Sequence, residues 1–113
     1  MNNKSPFYYC DTQFYKVMGY LENYLNQNFV EIDQEEWLLV DKALRELKAK
    51  PENERTADNF YALLDDSVSF KPLIKELCAG GKYAFFEDDR KYVIKDMDEL
   101  QFNMFDYYQN FLK

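Results

Sequence analysis

Apolar positions recur at helical spacing along most of this chain, and the clearest run lies between Asp33 and Lys50. Asp33 suits an N-cap, and Glu36 three residues on completes the pattern of a capping box. Ile32 and Trp37 occupy the positions of a hydrophobic staple. Trp37, Val40, Leu44 and Leu47 then mark one face, widened by Leu38, Leu39 and Ala43. Lys42, Arg45, Lys48 and Lys50 gather at the end where the dipole favours cations, and Pro51 stops the helix.

Reading outward from this helix, residues Met1 to Ser5 form a polar arm. Pro6 to Cys10, with Phe7, Tyr8 and Tyr9, supports either an extended segment or a helix entry. Asp11 or Thr12 then caps a first helix whose stripe is Phe14, Val17, Met18, Leu21 and Leu25, with Tyr24 at its edge and Tyr15 and Tyr20 off it. Asn26, Gln27 and Asn28 end that helix. Beyond Pro51, Glu52 to Arg55 reads as an exposed loop. Thr56 caps a short helix carrying Phe60, Leu63 and Leu64, and Asp65 and Asp66 stand at its end, against the dipole. Pro72 opens a fourth helix with Leu73, Ile74, Leu77 and Cys78 buried, stopped by Gly80-Gly81.

The pattern changes near 82–95. Two β-favouring runs, Tyr83 to Phe86 and Tyr92 to Ile94, flank Glu87, Asp88, Asp89 and Arg90. They read as a small hairpin with an acidic tip, or alternatively as continuing helix, since neither run alternates. Asp96 and Glu99 form a second capping box for a last helix along Leu100, Met104, Tyr108 and Phe111. The expected fold is therefore mainly α, about five helices in a single compact domain over residues 1–113, with a small hairpin; the alternative is an all-α bundle.

Composition adds a partner to this picture. Aromatic residues make up 19% of the chain, with ten Phe and ten Tyr. The Phe side chains are expected mainly in the core, and the surplus Tyr on a face that meets another protein. Formal charge is −7, from 21 acidic and 14 basic residues. That sign repels phosphate backbones, so no direct nucleic-acid contact is expected, and it suits a basic partner. Cys10 and Cys78 read as two free thiols in a reducing compartment. No apolar run resembles a signal peptide or a membrane span, so a cytoplasmic protein with no membrane contact is expected.

Candidate chemistry narrows the field further. The chain has no histidine, which removes most triads, general bases and the commonest transition-metal ligand. Asp88-Asp89 and Asp96-x-Asp98-Glu99 lack the mid-loop glycine of an EF-hand, and Gly80-Gly81 lacks the lysine and hydroxyl of a phosphate loop. The expectation is a non-enzymatic protein without cofactor or metal. Its acid lies in four clusters: Asp33/Glu35/Glu36, Asp65/Asp66, Glu87/Asp88/Asp89 and Asp96/Asp98/Glu99. Carboxylates steer a basic partner in, and tyrosines anchor it.

Asp106-Tyr107-Tyr108 and Tyr8-Tyr9 with Asp11, set beside these acid clusters in a short histidine-free chain, give it a likeness of kind to bacterial immunity proteins. Those proteins neutralise nuclease toxins of the colicin, contact-dependent inhibition and related polymorphic-toxin systems. The resemblance implies a stoichiometric inhibitor, monomeric in a one-to-one complex with a basic toxin nuclease domain. The partner-binding residues would be Tyr107, Tyr108, Asp106, Glu87, Asp88, Asp89, Asp65, Asp66, Tyr8 and Tyr9. Two rival readings are a phage-encoded acidic inhibitor that mimics nucleic acid, and a regulatory protein-binding domain. Mimicry needs phosphate-like carboxylate spacing, and here Lys and Arg interrupt the patches.

Overall fold

The computed structural model describes residues 5–84. They build a mainly helical fold with no strand among the described residues. A 3-10 helix, Pro6–Cys10, leads into α1 (Phe14–Gln27) and α2 (Gln34–Lys48); a short 3-10 turn, Glu52–Glu54, precedes α3 (Ala57–Leu63) and α4 (Lys71–Lys75). The N-terminal 3-10 helix packs on α1 and α2, α2 on α3, and α3 on α4. One cluster of buried side chains joins them all.

Ser5 is buried and caps the first 3-10 turn, its Oγ accepting from Phe7 N at 3.2 Å, with Pro6 in the first turn. Ser-Pro is a helix-start signal, so Ser5 belongs to the fold and not to a polar arm. Asp11 and Thr12 do not cap α1. The chain instead turns directly from one helix into the next, Gln13 N donating to Tyr9 O at 2.8 Å, and the N-cap Gln13 makes no side-chain cap.

Tyr20, expected off the stripe of α1, is buried. The helix is covered on more than one side: Phe7 lies edge-on to Tyr20 at 6.3 Å, and Tyr83 edge-on to Tyr24 at 5.7 Å. A helix packed from two directions needs a wider apolar face than one stripe. Burial of Tyr24 is made tolerable by its hydroxyl, which donates to Leu73 O at 2.6 Å.

Asp33 caps α2 as expected, accepting from Glu35 N at 2.8 Å, and Val40, Ala43, Leu44 and Leu47 form the buried face. Leu38 does not join them; it is 62% exposed. The reciprocal half of the capping box is absent, because the Glu36 carboxylate accepts from Ser69 N and, at 3.0 Å, Ser69 Oγ. Past Pro51, Arg55 donates to Lys48 O at 2.9 Å and Lys50 O at 3.1 Å, capping the last carbonyls of α2 from a segment expected to be a mere loop.

Thr56 caps α3, accepting from Asn59 N at 3.2 Å. Pro72 sits in the first turn of α4, and Ile74, Leu77 and Cys78 are buried while Leu73 is half-buried. The helix does not run to Gly80-Gly81: it ends at Lys75, with Glu76 as a right-handed C-cap, and Gly80 takes φ 82° in the turn beyond it. The expected β-run does not begin at Lys82 and Tyr83. They form a turn folded back on α4, with Lys82 N donating to Glu76 Oε1 and Tyr83 N to Glu76 O, both at 2.8 Å. The rest of the 82–95 hairpin, and the last helix expected from Asp96, lie outside the described residues.

Candidate functional site

The described residues bring two of the four acid clusters to one corner. Glu36, in the first turn of α2, reaches across to Ser69 in the connection between α3 and α4. That connection carries Asp65 and Asp66, so the start of α2 is tied to the segment that follows α3, each with carboxylates of its own. Asp33, Glu35, Asp65 and Asp66 are all exposed there.

Each carboxylate of the connection also has a local job. Asp65 accepts from Ser67 N at 2.8 Å, an Asx turn that reverses the chain. Hydrogen bonds from the Ser67 side chain and backbone hold the Asp65 carboxyl below its ordinary range, with smaller help from Lys42 and Lys71. Asp66 pairs with Lys71 Nζ at 2.7 Å, and the same ammonium donates to Leu64 O at 2.7 Å and lies 4.7 Å from the Tyr61 ring centroid. The acid at the end of α3 thus fastens the turn into α4, and Lys71 answers the dipole that Asp65 and Asp66 oppose. Lys42 and Lys71 interleave with the carboxylates, unlike a row of phosphates.

Tyr8, Tyr9 and Asp11 form a separate group on the other side of α2's chain end. Tyr9 is only 7% exposed and belongs to the core; its ring lies edge-on to Tyr8 at 5.1 Å. Tyr8 is half-buried, its hydroxyl donating to Glu52 Oε2 at 3.1 Å. Asp11 lies 3.9 Å from the Arg55 guanidinium. This group ties the N-terminal 3-10 helix to the turn after α2, and Tyr9 has no surface from which to anchor a partner. Glu87, Asp88, Asp89, Asp106, Tyr107 and Tyr108 lie outside the described residues.

Among the described residues the Phe side chains are mainly in the core as expected, but the Tyr side chains are not set aside for a surface. Tyr9, Tyr20, Tyr24 and Tyr83 are buried with Phe7, Phe14, Phe60 and Phe70, and the most exposed described aromatic is Phe29, at 94%. Tyr15, 77% exposed, stands edge-on to Phe14 at 5.3 Å, beside Arg45, whose guanidinium carbon lies 4.6 Å from the Phe14 centroid. Nothing in the spacing of apolar residues separates Phe29 from a core phenylalanine. The available signal was its place just after Asn26, Gln27 and Asn28, at a helix stop without glycine.

Both cysteines are free and buried. Burial pushes the Cys10 thiol from 9.0 to about 11, against the weaker opposing pull of Arg55, so neither the exposure nor the acidity of a nucleophile is present at Cys10. Among the described residues no group of three or more His, Cys, Asp or Glu side chains is placed to hold a metal ion, and no helix is long and apolar enough to cross a membrane. Comparison with protein-family models, with curated proteins and with solved structures finds no match to this chain.

Proposed function

We propose that this chain is an inhibitor that works by occupation: it binds a basic protein, a cognate toxin nuclease domain, and blocks it as immunity proteins do. The observation that carries this reading is the acidic corner, where the Glu36–Ser69 hydrogen bonds join the start of α2, with exposed Asp33 and Glu35, to the connection that carries exposed Asp65 and Asp66, in a chain of net charge −7. Such a corner raises the encounter rate with a positively charged surface, and short-range apolar contact then sets the lifetime of the complex. Interleaved Lys42 and Lys71 favour protein recognition over mimicry of nucleic acid.

A gene beside this chain's own is expected to encode a basic nuclease domain, and the test is co-expression with that domain. Cells carrying both are expected to survive, and the two proteins to purify as a one-to-one complex. Asp65→Lys with Asp66→Lys is expected to slow association and to flatten its dependence on salt. A chain that forms no complex with that domain and gives no protection would overturn the reading.

A further inference from the structure

Phe29 combines two properties that rarely meet in one residue. It has φ 63°, the only positive φ among the described non-glycine residues, and it is 94% exposed. The left-handed conformation is imposed by the end of α1: Phe29 N donates to Asn26 O and Val30 N to Leu25 O, each at 3.0 Å. With Asn28 as C-cap, these are the paired hydrogen bonds of a Schellman stop, with Phe29 at the position normally given to glycine or asparagine. Val30, packed against the core beyond it, holds the register.

A phenylalanine in this place works against the fold twice. Its Cβ strains a left-handed backbone, and its ring gains nothing from burial. The other large apolar side chains exposed among the described residues differ: Tyr15 leans on Phe14 beside Arg45, and Leu38 sits in ordinary helix, where single exposed leucines are common. Strain retained at an exposed aromatic is the kind of outlier from which a binding role can be argued.

The charge around Phe29 says what the partner is. From Val17 to Asp41 the chain holds Glu22, Glu31, Asp33, Glu35, Glu36 and Asp41 and no lysine or arginine. Glu31, Asp33 and Glu35, which follow Phe29 directly, are exposed. We infer that Phe29 is the anchor of an interaction surface: its ring enters an apolar pocket on a basic protein while Glu31, Asp33 and Glu35 meet lysine and arginine side chains at the pocket's rim. This matches the usual build of an interface, an aromatic anchor surrounded by polar contacts. It rests on the proposed function for the sign of the partner's charge alone.

The experiment places the photo-crosslinker p-benzoylphenylalanine at position 29 of the full chain in its native cells, and for comparison at positions 15, 38 and 65. The expected result is an adduct with one strongly basic protein, at least tenfold stronger from position 29 than from 15 or 38, and lost when Glu31→Lys and Glu35→Lys are added. The captured protein, purified, is then expected to bind Phe29→Gly at least tenfold more weakly than the parent chain, while Phe29→Gly melts no lower. A basic protein captured only from position 65 would overturn the anchor and leave the proposed function standing. An acidic protein, a second copy of this chain, or no adduct from any position would overturn both. Parent-like binding by Phe29→Gly would also overturn the anchor.

Discussion

Two left-handed residues redirect the chain among the described residues, and the two stops are built from opposite materials. In the turn beyond α4 the chain reverses through Gly80 at φ 82°, followed by Gly81, whose missing Cβ lets the chain pass against Glu76; an added Cβ there would collide with the Glu76 backbone. α1 ends through Phe29 at φ 63°. The Gly80 turn obeys local backbone preference and serves packing, because Tyr83 beyond it folds back onto Tyr24. The α1 stop defies that preference and leaves its ring in solvent. The lesson is that Gly80-Gly81 belongs to the fold's stability, whereas Phe29 needs an explanation from outside the fold.

The two stops can be separated by mutation. The largest effect is expected from Gly81→Ala, where the backbone of Glu76 blocks the new Cβ; about 1–3 kcal/mol of stability should be lost in urea unfolding. Gly80→Ala meets open space and should lose less, about 1 kcal/mol, from the left-handed strain alone. Equal losses at the two positions would show that close packing at Gly81 is not what the sequence protects.

Tyr24 links the two ends, since its hydroxyl holds Leu73 O and its ring meets Tyr83. Tyr24→Phe should cost about 0.5–1.5 kcal/mol at neutral pH. Burial raises the Tyr24 phenol well above its ordinary 10.0. Stability from keeping it protonated is therefore complete below pH 10.0 and falls as pH rises, because the unfolded chain releases that proton and the folded chain does not. Cys10 adds a similar decline between 9.0 and about 11. The alkaline limb of a stability–pH curve should thus be shallower in Tyr24→Phe, and an unchanged limb would contradict the burial argument.

At the α1 stop the sign reverses. Phe29→Gly should stabilise the chain by about 0.5–1 kcal/mol, the relieved strain less the added freedom of the unfolded state. A loss on thermal unfolding would mean that Phe29 has a structural role after all. The smallest effect belongs to Asp65→Asn. Its lowered carboxyl contributes stability above the ordinary carboxylate range that is lost as pH falls through the folded value, so the variant should be slightly less stable at neutral pH and lose slightly less on acidification than the parent.

How far the sequence could be read follows the same divide between local and long-range causes. Asp33, Thr56 and Pro72 act as their local chemistry requires, and the apolar face of α2 at Val40, Ala43, Leu44 and Leu47 is the buried one; Gly80 is left-handed, but α4 has already ended at Lys75. Ser5-Pro6 was a readable start for the first 3-10 turn, hidden by treating Ser5 as part of a polar arm. Tyr20 escaped because a second element, the 3-10 helix with Phe7, covers α1 from a direction no single-helix pattern reveals. Glu36 escaped because its partner, Ser69, lies 33 residues away. Of the candidate site, Asp65 and Asp66 were legible as exposed acid, though their place beside the start of α2 was not. Tyr9 was misread because paired tyrosines look alike in sequence whether they face solvent or core. Phe29 was invisible for the converse reason, since a left-handed φ at a non-glycine residue is set by where Val30 packs.

The central claim is that a negatively charged surface brings this chain onto a basic nuclease domain and stops it. The most direct measurement is the rate of association between the purified chain and the basic nuclease domain that the proposed function expects a neighbouring gene to encode, followed across a series of salt concentrations together with nuclease activity. Fast association that slows steeply as salt rises is expected, with activity abolished at one chain per nuclease domain. Association indifferent to salt, or a nuclease still active at saturating chain, would contradict it.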